Sequence, residues 1–220
     1  MKLFVWDFHG VLEKDNDLDV LYLSNIILKN KGIKKRFSLD DAYKLSGLKW
    51  FEYFEFLLPE LSHKDHLNLQ SDCLKFQRNN RSETQSSKVH KYLKANDYAD
   101  YVLSEIAKSG HDQLLISNTN PVDIMWFVNR VGLKKHFPDN RIIGINAHQR
   151  GTNKNDAFRN FLLDKGYEQI VIIGDSQKDI DLKSVSGGVA YYYKRLNRDH
   201  DGIDGADYKI ADLREILNEV

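Results

Sequence analysis

Apolar residues arrive along this chain in short unbroken runs, each closed by polar residues or glycine. Leu3 to Trp6 is halted by Asp7 and Gly10, and its aromatic and β-branched members predict a buried strand that ends in a loop. The pattern recurs at Gln113 to Ile116, closed by Ser117-Asn118-Thr119-Asn120-Pro121, and at Arg141 to Ile145. It returns at Gln169 to Ile173, closed by Gly174-Asp175, and at Val189 to Tyr193. Between these runs, apolar positions three and four apart predict helices over Asp123 to Val131, Asn155 to Lys165 and Asp179 to Ser184. Strand, loop, helix, strand is the rhythm of a parallel sheet with helices on both faces. The expected fold class is therefore α/β, with a doubly wound parallel-sheet core.

One segment breaks that rhythm. From Lys14 to Ala95 there is no strand-like run, but helical spacing in Leu18, Leu21, Tyr22, Asn25, Ile26 and Leu28, then in Ala42, Leu45 and Leu48. Trp50, Phe51, Phe54, Leu57 and Leu58 follow in the same steps. Such a stretch is too long for an ordinary crossover, so residues 14–95 are expected to form an inserted α-helical domain, with residues 1–13 and 96–220 forming the core. Asn79 to Ser87 is its most polar part and is expected to be a loop or hinge. The segments Glu13 to Asp15 and Ala95 to Asp97 are the expected pivots. The aromatics from Trp50 to Phe56, after Gly47-Leu48-Lys49, read as helical core or as the wall of a pocket.

Composition narrows the classes. A chain of 220 residues can bury about 70% of its unfolded surface and needs no staples. The single cysteine, Cys73, excludes an intrachain disulfide. Thirty-two basic residues against 32 acidic ones give no net charge, which removes the simplest argument for nucleic acid and leaves only a local basic patch to be considered. No apolar run approaches the ~18 residues a membrane helix needs. The opening Met1 to Asp7 acquires an acid too early for a signal-peptide apolar region. The expectation is a soluble, cytoplasmic protein with no membrane association.

In such sheets ligands bind beyond the C-terminal ends of the strands, so the polar residues that close the strands are the ones to examine: Asp7 and His9, Ser117 and Asn118, Asp175 and Asp179. Each has a plain structural reading of its own. Asp7 and Gly174-Asp175-Ser176 suit turns, the Ser117 to Pro121 run suits a helix start, and Lys154 suits a solvated surface. No Gly-x-Gly-x-x-Gly follows the first strand, so a dinucleotide site is not expected.

Taken in order, Asp7-Phe8-His9-Gly10-Val11, Ile116-Ser117-Asn118, Lys154 and Ile173-Gly174-Asp175-Ser176 with Asp179 resemble the motifs of the haloacid dehalogenase superfamily of phosphotransferases. The tail Gly205-Ala206-Asp207-Tyr208-Lys209-Ile210 and the helical insertion resemble its phosphoglycolate-phosphatase-like branch, in which the insertion is a cap. The resemblance implies a Mg²⁺-dependent phosphatase acting on a small phosphorylated substrate. Asp7 would be the nucleophile, forming an aspartyl-phosphate. Asp7, Asp175 and Asp179 would form the metal site, with a backbone carbonyl of the first loop. Lys154 would neutralise the phosphate and Asp7, and Ser117 with Asn118 would hold phosphoryl oxygens.

The chain departs from that family at His9, where its phosphatases usually carry a second Asp as general acid and base. An imidazole can take that proton-transfer role, ligate a softer metal such as Mn²⁺ or Co²⁺, or only support the loop. Phosphonatase relatives also lack the second Asp and form a Schiff base on a cap lysine, for which Lys44 or Lys49 would serve. A phosphate-binding or partner-binding module without catalysis is the third reading. His63 and His66 lie three apart, but no nearby acid pair completes a metal site, and they read as surface residues. The substrate's identity and the oligomeric state stay open.

Overall fold

The computed structural model describes residues 1–45, 48–81, 92–145, 153–195 and 202–220. Gly47 and residues 82–87 of the polar stretch lie outside the described residues. By internal contacts the chain divides into Met1–Lys14 with Lys94–Val220, and Asp15–Leu93.

The first unit is built on a six-stranded parallel sheet. Its strands are β1 (Lys2–Trp6), β4 (Asp112–Ser117), β5 (Ile142–Gly144), β6 (Gln169–Gly174), β7 (Val189–Tyr193) and β8 (Tyr208–Ile210), in the order β5-β4-β1-β6-β7-β8. A separate antiparallel ribbon joins β2 (Glu13–Lys14) to β3 (Lys94–Ala95), so the two crossings of the chain out of this unit are tied together. The Asn96 side chain, next to that ribbon, donates to the Val11 carbonyl at 2.7 Å and to the Tyr193 hydroxyl at 3.0 Å.

β1 lies between β4 and β6, with Trp6 in register with Leu115 on one side and Ile173 on the other. A central parallel strand is covered on both faces, so it reads as a continuous apolar run. Leu3, Phe4, Val5 and Trp6 are all fully buried or within 1% of it, each side chain contributing roughly 1.5–3 kcal/mol. One core cluster gathers Leu3, Val5, Leu114, Ile116 and Ile172 with Phe158 of α7 (Lys154–Leu162) and Ile180 of α8 (Gln177–Ile180).

Helix starts follow their capping residues. Asn120 caps α6 (Pro121–Arg130) by accepting from the Val122 N–H at 3.1 Å, with Pro121 in the first turn. Asn153 caps α7 by accepting from the Asp156 N–H at 2.8 Å. The helix expected over Asp179 to Ser184 is two short ones, α8 and α9 (Lys183–Ser186). Among the elements not expected, besides the β2–β3 ribbon, are α5 (Ala99–Lys108), which buries Val102, Leu103 and Ile106, and β8, in which only Ile210 is buried.

The second unit is helical: α1 (Asn16–Asn30), α2 (Leu39–Leu45), α3 (Trp50–Leu57) and α4 (His63–Asn79). Its core holds Ile27, Leu28, Phe37, Leu45, Tyr53, Phe54, Leu69 and Cys73. Burial holds the Cys73 thiol well above its usual range. Tyr53 and Phe54 are thus core residues, the Trp50 indole donates to the Ser24 hydroxyl at 2.7 Å, and Phe56 is exposed. His66 corrects the surface reading: its side chain is only 4% exposed, while that of His63 is 62% exposed. No helix among the described residues is long and apolar enough to cross a membrane.

Candidate active site

The site lies where β1, β4 and β6 end. The Asp7 N–H donates to the Ile173 carbonyl at 2.9 Å, which carries the β1–β6 pairing one residue past Trp6 and sets Asp7 beside Gly174-Asp175. Ser117 ends β4 two positions past Leu115, the register partner of Trp6, and so stands on the same edge. Its hydroxyl is buried and donates to the Thr119 hydroxyl at 3.1 Å, and Asn118 is exposed.

Carboxylate oxygens of Asp7, Asp175 and Asp179 lie within 4.8 Å of one another. Lys154, whose place in the chain suggested solvent, is buried and donates to Oδ1 of Asp7 and Oδ1 of Asp179, each at 2.6 Å. The other Asp179 oxygen accepts from the Ser176 N–H at 3.1 Å and its hydroxyl at 2.5 Å. Asp179 therefore spends both oxygens on holding Lys154 and the loop after β6. Gly174 is required here for space: a Cβ would sit 2.0 Å from the Asp179 Cβ.

Burial pushes the Asp7 carboxyl up from 3.8 to about 7, Asp179 and Asp175 repel its charge in the same direction, and Lys154 opposes them. For Lys154, burial works against the charge, but Asp179 and Asp7 outweigh it and the ammonium is held well above its ordinary value. The site thus keeps a permanent cation against a carboxylate that is costly to ionise.

Two further residues complete the constellation, and sequence reasoning missed both. Arg195 pairs with Asp175, Nε to Oδ2 at 2.7 Å, and its Nη2 donates to the His9 carbonyl at 2.8 Å. The guanidinium lies on Gly10, whose φ is +89° and whose added Cβ would fall 1.5 Å from Nη2. Glu13, fully buried, meets the His9 Nδ1 at 2.8 Å. A tight loop makes this contact, with the Glu13 N–H donating to the Phe8 carbonyl and the Gly10 N–H to the Glu13 carbonyl. Phe8 and Phe127 flank the imidazole edge-on, at 4.9 and 5.1 Å between centroids. The spacing of His9 and Glu13 was a signal available in sequence; for Arg195 there was none.

Among the described residues, the carboxylates of Asp7, Asp175 and Asp179 face the cations of Lys154 and Arg195, and the site they form accommodates more positive charge. Its donors are hard oxygens of the kind Mg²⁺ takes, and the Arg195 guanidinium already stands as a cation between Asp175 and the His9 carbonyl. Asp7, Asp175 and that carbonyl are the groups that would hold the metal. The His9 imidazole is turned to Glu13 and is not part of the acidic cluster. Lys44 and Lys49 lie in the helical unit, over the rings of Phe56 at 4.7 Å and Phe51 at 5.9 Å.

A family model described as haloacid dehalogenase-like hydrolase matches residues 4–185. The chain belongs to the haloacid dehalogenase-like hydrolases. Its α/β core with helical insertion is similar to solved structures of that kind. A predicted phosphoglycolate phosphatase from Haemophilus somnus has TM-score 0.78 at 15% identity, covering 100% of this chain and 97% of that one. A haloacid dehalogenase-like family hydrolase from Streptococcus pneumoniae has TM-score 0.75 at 15% identity, with 99% and 97% covered. A predicted phosphatase from Clostridium acetobutylicum has TM-score 0.72 at 16% identity, with 99% and 96% covered. No curated protein matches the chain. In this haloacid dehalogenase-like hydrolase, the matched residues include Asp7, His9, Ser117, Asn118, Lys154, Asp175 and Asp179, whereas Arg195 lies beyond them.

Proposed function

We propose that this hydrolase is a Mg²⁺-dependent phosphatase that cleaves a small phosphomonoester through a phosphoryl group carried on Asp7. The observation that supports it most is the Asp7 carboxylate gripped by a buried Lys154 beside Asp175 and Asp179. A bound Mg²⁺ would supply charge that neutralises Asp7 and the phosphoryl oxygens as they approach. Lys154 holds Oδ1 of Asp7, which leaves Oδ2 to face phosphorus. Ser117 and Asn118 would hold the remaining phosphoryl oxygens.

His9 takes the place of the family's usual acid and base. With Nδ1–H donating to Glu13, Nε2 is the atom that exchanges the proton. In the first step the Asp7 oxygen bonds to phosphorus, the ester P–O bond breaks, and the Nε2 proton passes to the leaving oxygen. In the second, water attacks phosphorus, its proton returns to Nε2, and the Asp7–phosphorus bond breaks to release phosphate. Glu13 positions the ring, holding Nδ1 at 2.8 Å so that Nε2 is free to exchange the proton. A small phosphorylated compound suits the chain's zero net charge better than nucleic acid does, and one buried thiol suits the reducing cytoplasm.

Turnover of a panel of phosphomonoesters, measured as phosphate release with Mg²⁺, tests the reading. Activity that disappears with EDTA and with Asp7→Asn supports it. Activity that survives Asp7→Asn overturns the mechanism.

A further inference from the structure

The helical unit brings together a second set of metal-ligating side chains, unlike the acidic cluster in donor chemistry. Glu55 lies on α3, and His63 and His66 on α4, three apart and so on one helix face. One ligand atom from each falls within 4.8 Å of the others. Glu55 Oε1 is 2.8 Å from the His63 Nδ1 and 3.8 Å from the His66 Nδ1.

His66 carries the inference. Its side chain is 4% exposed, and its Nε2 donates to the Leu58 carbonyl at 2.9 Å. With the proton on Nε2, the Nδ1 of the neutral ring is a lone pair. That atom is buried and has no hydrogen-bond partner among the described residues, and the carboxylate oxygen it faces, at 3.8 Å, is too far for a hydrogen bond. The His66 Nδ1 and the Glu55 Oε1 thus face each other at 3.8 Å, both as lone-pair atoms. A ring nitrogen whose partner N–H is spent on a backbone carbonyl is also how metal-bound histidines are oriented.

We propose that Glu55, His63 and His66 bind a divalent transition cation of the Zn²⁺ class. Zn²⁺ bonded to nitrogen and oxygen at about 2.0–2.1 Å in a tetrahedron needs ligand atoms about 3.3 Å apart. The two separations to Glu55 bracket that value, one shorter and one longer by roughly half an ångström, which side-chain rotation supplies. Two imidazoles and one carboxylate select a borderline metal over Mg²⁺, which takes oxygen. The exposed His63 gives the ion an entry path and leaves its fourth position to water. Phe51 meets the His63 ring edge-on at 5.2 Å and limits its rotation. Asp65, in the first turn of α4, offsets the unfavourable helix dipole at that end. Bound there, the ion ties α3 to α4 and stabilises the helical unit.

The test titrates the full chain with Zn²⁺, and with Co²⁺ for its visible spectrum, in excess Mg²⁺ so that the acidic cluster is occupied. Calorimetry should give one equivalent of Zn²⁺, and Co²⁺ should show the intense absorption of a four-coordinate site. His63→Ala and Glu55→Gln, both at partly exposed positions, should each weaken binding at least ~10-fold and abolish the rise in melting temperature that Zn²⁺ gives the wild type. Asp7→Asn should leave Zn²⁺ binding unchanged. Absence of Zn²⁺ binding in excess Mg²⁺, or binding that persists in His63→Ala, overturns the proposal.

Discussion

Asp7 is expected to cost this protein stability, and Asp7→Asn to return it. Burial, Asp179 and Asp175 lift the carboxyl from 3.8 to about 7 in the folded chain, against the pull of Lys154. A carboxyl raised on folding binds its proton more tightly in the native state, so stability falls as pH rises from the unfolded value, ~3.9, through the folded one. Some three pH units at ~1.4 kcal/mol each set an upper bound of about 4 kcal/mol, fully present above pH 7 and absent below pH 4. Asparagine keeps an oxygen for Lys154 to donate to and carries no charge. Thermal unfolding in EDTA should therefore find Asp7→Asn more stable than wild type at pH 8, by at most roughly 8–16 °C at about 2–4 °C per kcal/mol. The gap should shrink steadily toward pH 4. Adding Mg²⁺ should narrow it from the other side, because only the wild type offers the metal an ionised Asp7. An Asp7→Asn variant no more stable than wild type at pH 8, or a gap that does not change with pH, would refute the reasoning.

Arg195→Gln should bind Mg²⁺ roughly 10–100-fold more tightly by calorimetry, since the guanidinium pairs with Asp175 and occupies the His9 carbonyl through a charge-assisted hydrogen bond of about 1.5–3 kcal/mol; unchanged or weaker binding would mean that Arg195 does not compete. Gly10→Ala should destabilise the fold by about 1–3 kcal/mol in urea, from its positive φ and the clash with Arg195, and Arg195→Gln should relieve part of that cost. Full additivity of the two changes would deny the contact. His9→Ala should lower turnover about 10²–10⁴-fold on alkyl phosphates and much less on aryl phosphates, whose leaving groups need little protonation. Equal losses on both would remove His9 as the acid.

The fold was legible where a physical constraint repeats along the chain. A strand buried on both faces must be apolar throughout, so β1, β4 and β6 announced themselves, and the polar residues that stop them had to fall on the ligand-binding edge. Asp7, Ser117 and Asp175 stood out that way as candidates, and Lys154 only through the family resemblance. β8 was missed because its pattern is short, with Ile210 alone buried, and α5 was missed although it is as long as α6. Lys154 reads as solvated in sequence, and only the partners at either side of it make its burial affordable. Arg195 comes 186 residues after His9, inside a polar run whose local pattern says only surface. Glu13, four residues from His9, looked like a pivot, because an acid beside a lysine and an aspartate has no apolar signature. The burial of His66 depends on how α3 returns against α4, which helical periodicity does not specify.

The aspartyl-phosphate is the step on which the whole reading stands, and it can be caught directly. An acyl phosphate on Asp7 is reduced by borohydride to homoserine, whereas an unmodified carboxylate is not. The enzyme would be mixed with a phosphomonoester that it turns over, quenched early, reduced and digested, and the peptide containing Asp7 examined by mass spectrometry. Homoserine at position 7, dependent on substrate and absent when turnover is exhausted, is the expected result. Turnover with no reducible adduct at Asp7 at any time in the reaction, or with the adduct on another residue, would contradict the account.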